Sequence, residues 1–172
     1  SKIKGDFFLF VDSDDWIELD MYETLLKRAN ETGADAVECG WFQEYNGKKR
    51  EHNKQNIDTF GTETLNALVK HELSDCVWNK LWKKECFLYI RFPSGRIYED
   101  IATTYKVYSC TTVVCSTAES KYHYRQRKAS LSKDHTMYNL LGRWLSYKVR
   151  YDYLTNLVDE DSEMIILYSL IF

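Results

Sequence analysis

Three carboxylates, Asp12, Asp14 and Asp15, share one tetrapeptide with Ser13, directly after the apolar run Phe7-Phe8-Leu9-Phe10-Val11. Like charges this close raise one another's pKa unless a cation compensates them. Oxygen-only ligands select hard divalent ions, so Mg²⁺ or Mn²⁺ is the expected guest. Such an ion can clamp a diphosphate and stabilise its departure. An acidic helix N-cap is the competing reading of any Asp-x-Asp. The apolar strand in front weighs against it, because α/β folds place ligands at the C-terminal ends of their strands.

Two rival motifs fail on the residues present. A calcium-binding EF-hand loop needs Asp or Asn at its fifth position and Gly at its sixth, where this chain has Trp16 and Ile17. A phosphatase of the haloacid dehalogenase type needs Thr or Val where Trp16 stands, and no later Gly-Asp-x-x-x-Asp supplies its second acid pair.

Glu99-Asp100 is the second acidic feature. A carboxylate at a loop-to-helix junction can take the proton of an attacking sugar hydroxyl; helix capping reads the same residues equally well. Lys121–Ser132 (KYHYRQRKASLS) is the third, setting Arg125, Arg127 and Lys128 among hydroxyls that suit phosphate oxygens. His123 reads either as a metal ligand or as a half-buried strand histidine. His52, His71 and His135 have no ligand-spaced partner and read as surface residues.

Elements must position these groups. Residues 7–11 read as a central strand buried on both faces. Residues 20–31 space Met21, Leu25, Leu26 and Ala29 as one helical face ending before Gly33. A strand is expected over 34–42, with Asn46-Gly47 turning a hairpin. Thr62–Glu72 reads as a helix capped by Thr62, Val77–Leu88 as a strand running into a helix, and Pro93 as a loop. Ile101–Tyr108 reads as a helix opening after Glu99-Asp100. Two strands follow, over 112–116 and 121–125, then helices from 135 to 159 and beyond 161.

Acids and bases are interspersed, with a net charge of −3, which argues against nucleic-acid binding. Aromatics make up 15% of the chain and serve either a core or the stacking of sugars and nucleobases. The cysteine count of five is odd and no Cys-x-x-Cys occurs, so neither a disulfide framework nor a zinc ribbon is implied. Reduced thiols in the cytoplasm are expected. No signal peptide and no stretch of membrane-spanning length is present, so any membrane contact would be peripheral. The chain opens almost at once into a strand and stops inside an apolar run, as if cut from something longer.

Taken in order, KGDFFLFVDSDDW, DMYETLLKRANETGADAVECGWF, VWNKLWKKECF, RFPSGRIYEDI and YHYRQRKASLS resemble family 2 glycosyltransferases of the bacterial polysaccharide type, over about residues 4–132. The resemblance implies an α/β fold: part of a GT-A domain, a Rossmann-like mixed sheet flanked by helices, over 1–132, and a helical C-terminal extension over 133–172. It also implies inverting hexosyl transfer from a nucleotide-diphosphate sugar to a saccharide or lipid-linked acceptor in cell-surface polysaccharide synthesis, at the inner face of the membrane. Asp12 would reach the ribose or a metal-bound water, Asp14 would bind the metal, and Asp15 would support the site. Asp100 matches the catalytic base, with Glu99 beside it. His123 would join the metal, Arg125 and Arg127 the donor phosphates. Trp16, Trp78, Asn79, Lys80 and Tyr98 would line the acceptor cleft. The family's first half, with its nucleobase-binding acids, has no counterpart here, so the full-length protein is expected to be active and these residues alone are not. A non-catalytic sugar- or protein-binding remnant is the alternative.

Overall fold

We describe residues 4–127 and 136–171 of a computed structural model. Two long strands carry the sheet. β3 (Ala36–Tyr45) and β7 (Val113–Arg125) run parallel, and the shorter strands pair antiparallel to them or to each other. The order is β1 (Phe7–Leu9), β6 (Lys80–Lys83), β3, β7, β2 (Trp16–Ile17), with β4 (Lys48–His52) on β3 and β5 (Asp58–Phe60) on β7. Asn46 and Gly47, both at positive φ, turn β3 into β4 as expected.

The expectation for residues 7–11 is corrected. Only Phe7–Leu9 form a strand, and it lies at the sheet's edge, half-buried and antiparallel to β6. Residues 113–125, expected as two strands, form one. β7 itself bulges opposite Gly40: the step from Cys39 to Gly40 in β3 matches Thr117 to Ser120, and the step to Trp41 matches Ser120 to Tyr122, so β7 takes up the extra residues and stays paired through the bend. A Cβ on Gly40 would stand 2.5 Å from Ser120 Oγ and 2.8 Å from the His52 carbonyl oxygen, so no side chain fits there.

Alternate residues of the sheet face two apolar clusters. Val37, Cys39, Leu81 and Cys115 meet α1 (Met21–Thr32) through Met21, Leu25 and Ala29. Leu26, expected on that helix face, points outward instead. Ala36, Trp82 and Val114 meet Leu65 and Leu68 of α2 (Thr62–Val69) and Tyr105 and Tyr108 of α3 (Thr104–Tyr108). Leu154 of α4 (Met137–Leu154) and Ile166 of α5 (Glu160–Ile171) join that cluster. Gly61, rather than Thr62, takes the N-cap position of α2. β6 runs into a single 3₁₀ turn, Lys84–Phe87. Residues 101–103 are turns, and α3 begins only at Thr104, shorter than expected.

A fully buried carboxylate sits at the centre. Glu38 in β3 accepts from Lys54 Nζ at 2.8 Å, Lys80 Nζ at 3.2 Å, Ser74 N at 3.0 Å, Asn79 Nδ2 at 3.3 Å and the Tyr108 hydroxyl at 3.3 Å. Burial alone would raise its pKa, but the Lys80 and Lys54 ammonium groups outweigh burial and hold it below the ordinary value. Glu38→Gln strands those two charges in the interior. It should lower the unfolding free energy by about 3–5 kcal/mol, measured as a shift in the urea midpoint; an unchanged midpoint would deny the network that role.

Candidate active site

The aspartates occupy a tight turn between β1 and β2, closed by the Asp15 amide on the Asp12 carbonyl at 3.1 Å. Tyr122, a buried residue of β7, holds the turn from below. Its hydroxyl accepts from the Asp12 amide at 3.1 Å and donates to Asp15 Oδ2 at 2.8 Å. The Arg125 amide donates to Asp15 Oδ1 at 2.8 Å. Partial burial raises the Asp15 pKa, with these two bonds working against it. The Asp12 pKa is raised by crowding of its carboxyl and then by the charges of Asp15, Asp14 and Glu99, although the residue as a whole is open to solvent. Asp14 pairs with exposed Arg127 at 3.2 Å.

Asp100 lies in the loop before α3. Its Oδ1 accepts from the Ile101 amide at 2.8 Å. Desolvation pushes its pKa up to about 6, against that bond and aided by the charges of Asp75 and Glu99. Tyr98, two residues earlier, is held at φ 56°, a conformation costing an aromatic residue roughly 1 kcal/mol or more. Glu99 is exposed, and its charge acts on both Asp12 and Asp100. The two acidic motifs therefore share one field despite their separation in sequence.

Other expected residues sit elsewhere. Asn79 and Lys80 are wholly buried on the Glu38 network rather than lining a cleft. Lys80 Nζ also bonds the Cys76 carbonyl and, at 2.8 Å, Ser74 Oγ. His123 has both ring nitrogens on carboxylates, Glu18 at 2.9 Å and Glu44 at 3.1 Å, and lies between the rings of Trp16 and Phe42. It locks β2 to β3 and β7, and neither nitrogen faces the aspartate turn. Arg125 turns its guanidinium over the Trp16 ring. Trp78 is half-buried, stacked on Tyr122 and Tyr124. His52, read as a surface residue, is stacked on Trp41 and lies 3.0 Å from Gln43 Oε1. His71 is exposed. His135 and residues 128–132 of the basic segment lie outside the described residues.

Three contributors escaped the sequence reading. Tyr122 carries the turn, and Asp75, 3.0 and 2.9 Å from Arg150 Nη1, stands behind Asp100. Tyr122 shares the strand alternation of Tyr124, a faint signal; Asp75 and Arg150 have none.

No group of three His, Cys, Asp or Glu side chains converges as a closed metal cage among the described residues. The turn nevertheless fits Mg²⁺ or Mn²⁺, ions that take one or two carboxylates and complete their shell with water and substrate phosphates. Its donors are all oxygens, and the charges of Asp15, Asp14 and Glu99 add to burial in raising the Asp12 pKa.

The profile of the family described as Glycosyl transferase family 2 matches residues 1–92. The chain belongs to that family. The matched span holds the aspartate turn and ends before Glu99-Asp100. Among curated relatives, Glycosyltransferase GlyA of Streptococcus pneumoniae serotype 4 is 32% identical over 77% of this chain and 21% of its own length. Glycosyltransferase GlyG of the same organism is 29% identical over 77% of this chain and 48% of its own. The chain thus spans no more than about half the length of these relatives. The structure is similar to S. aureus TarS 1–349 in complex with UDP-GlcNAc, with a TM-score of 0.70 at 20% identity, covering 98% of this chain and 48% of that one. That likeness confirms the GT-A fold.

Two outcomes follow from this geometry. Tyr122→Phe removes one bond to a carboxylate and one to an amide, and should cost about 2 kcal/mol in urea unfolding; a loss below about 0.5 kcal/mol would release Tyr122 from that task. Asp100 holds its proton to about pH 6 in the folded chain, while the unfolded carboxyl releases it near its ordinary value of 3.8. Folded stability therefore declines as pH rises through that window. Asp100→Asn, lacking the titration, should be more stable than the parent by about 1–3 kcal/mol at pH 7. The gap should close near pH 4, read from thermal midpoints across pH; a less stable variant at pH 7 would contradict the assignment.

Proposed function

We propose that this chain is the acceptor side of an inverting glycosyltransferase, which moves a sugar from a nucleotide-diphosphate donor to a saccharide or lipid-linked acceptor in cell-surface polysaccharide synthesis. One observation carries the reading. A desolvated carboxylate with its pKa raised to about 6, Asp100, and an acid-rich turn that follows a strand both feel the charge of Glu99. The first is a base matched to neutral pH, and the second is a site for a cation and a diphosphate. TarS, of the same fold, is seen with UDP-GlcNAc, which supports a nucleotide-sugar donor.

The reaction is a single displacement. Asp100 takes the proton of the acceptor hydroxyl as its oxygen bonds to the anomeric carbon. The bond from that carbon to the diphosphate breaks, and its electron pair leaves with the diphosphate. Asp12 and Asp14 would hold Mg²⁺ or Mn²⁺, which when bound neutralises charge on the leaving group. Asp15, tied to Tyr122 and Arg125, keeps the turn in shape. Exposed Arg127, beside Asp14, would meet donor phosphate oxygens. Trp16, Trp78 and Tyr98 would supply ring surface for the acceptor, and their task is geometry. Nucleotide sugars and five unpaired cysteines fit the cytoplasm.

The test uses the full-length polypeptide that carries this chain. Asp100→Asn should cut turnover about a hundredfold or more while calorimetric donor affinity stays within about twofold. The parent's kcat/KM should rise with pH through an acid limb near 6, the Asp100 pKa. Unchanged turnover in the variant would remove Asp100 from the mechanism.

A further inference from the structure

Helix α4 turns its polar residues inward. It buries Asn139, Ser146 and Arg150 with Leu154, and leaves Met137, Tyr138, Leu141 and Trp144 exposed. A buried guanidinium is costly without a partner, so the partner shows what holds the helix in this orientation. Arg150 Nη1 donates to both carboxylate oxygens of Asp75, at 3.0 and 2.9 Å, and the two side chains are only 3% and 16% exposed. Around this pair, α4 meets the Asp100 segment on both flanks. Before Asp100, Ser146 Oγ donates to the Ile97 carbonyl at 3.4 Å, and a Cβ on Gly142 would stand 2.5 Å from Ile97 Cγ1. After it, the Tyr105 hydroxyl donates to the Val149 carbonyl at 3.2 Å.

Asp75 is also bonded to the loop of Asp100. Its carbonyl accepts from Thr104 Oγ1 at 2.7 Å. The amide of the same Thr104 donates to the Asp100 carbonyl at 2.8 Å, and the Thr103 amide shares that acceptor at 3.0 Å. Thr104 is wholly buried, so one enclosed residue joins the backbone of Asp75 to the backbone of Asp100. The charges are coupled as well. Burial raises the Asp75 pKa, while Arg150, Lys80 and His71 oppose it and favour the anion. Desolvation raises the Asp100 pKa first, and the charges of Asp75 and Glu99 add to it. Cys76 feels Asp100 in turn: burial pushes its thiol up to about 12, with the Asp100 charge adding to burial and Lys80 opposing both. Of the two acids acting on Asp100, Glu99 is exposed and screened by salt, whereas enclosed Asp75 is screened much less.

We propose that Asp75, held by Arg150, is a positioning residue for the transfer reaction: through Thr104 it fixes the loop that carries Asp100, and it sets a second negative charge behind that carboxyl. The proposal rests on the reading of Asp100 as the base. It gives α4, which lies beyond the span matched by the family profile, a task in supporting the site. A pair that merely pinned α4 to the sheet would affect stability and leave the titration of Asp100 where it is.

Asp75→Asn separates the two roles, because it keeps the side chain's size and the carbonyl bonded to Thr104 and removes only the charge. Carboxyl-carbon NMR of the 172-residue chain should show the Asp100 midpoint falling from about 6 by about half a pH unit or more, roughly a threefold loss of proton affinity. Asp75→Asn with Arg150→Gln leaves no lone charge inside and should give the same downward shift. Circular dichroism checks that each variant is folded, and an unmoved midpoint in a folded variant overturns the proposal. In the full-length polypeptide, the acid limb of kcat/KM should move down with the midpoint. A midpoint that falls while the limb stays would uphold the coupling and overturn the reading of Asp100 as the base. Thr104→Val keeps every charge and cuts the tie between the two loops. It should lower kcat about tenfold while donor affinity stays within about twofold. An unchanged kcat, or a donor affinity that falls in step with it, would overturn the positioning role.

Discussion

Glu38 is buried to the last atom, and its carboxylate would be costly there without partners. Lys54, Lys80, Ser74, Asn79 and Tyr108 surround it, drawn from four separate stretches of chain. Their convergence ties β3 to β6, to the loop before β6 and to α3. Such a cluster gains little over an apolar core of the same volume, but it tolerates few alternative arrangements. The same loop then reaches outward. Asp75 bonds Arg150 of α4, and its carbonyl accepts from Thr104 Oγ1 at the start of α3. A chain of polar contacts thus runs from the middle of the sheet to the helix behind Asp100, and the loop that bears Asp100 is set by it.

The two acidic motifs are treated in opposite ways. Asp15 is clamped by a tyrosine hydroxyl and a backbone amide, so its orientation is fixed before any ligand arrives. Asp100 has one amide for a partner and is otherwise desolvated among like charges, which makes it a reluctant anion. A clamped carboxylate suits the scaffold of a charge-binding turn, and a desolvated one suits a proton acceptor. The backbone strain at Tyr98, next to Glu99 and Asp100, belongs with the second arrangement.

The inverted polarity of α4 follows from the same polar chain. Because Arg150 and Ser146 must face inward to meet Asp75 and Ile97, the helix's apolar residues are left outside. An exposed apolar face on a helix pinned in this way is a property of the fold and not of slack packing.

Much of the site could be read from the sequence, because its signals are local. An apolar run ending in Asp12, Asp14 and Asp15, the Asn46-Gly47 turn and the helical spacing of Met21, Leu25 and Ala29 each lie within a few residues and obey short-range sterics. Asp100 could be singled out beside Glu99 for the same reason. The tertiary structure alone decided the rest. It made residues 7–9 an edge strand, and it turned Asn79 and Lys80 into the partners of Glu38. It set Tyr122 under a turn 110 positions earlier in the chain. These outcomes depend on which charges must be buried together and which strands can pair past the β7 bulge opposite Gly40. Desolvation and long-range pairing act only once the chain is folded, so no local pattern records them.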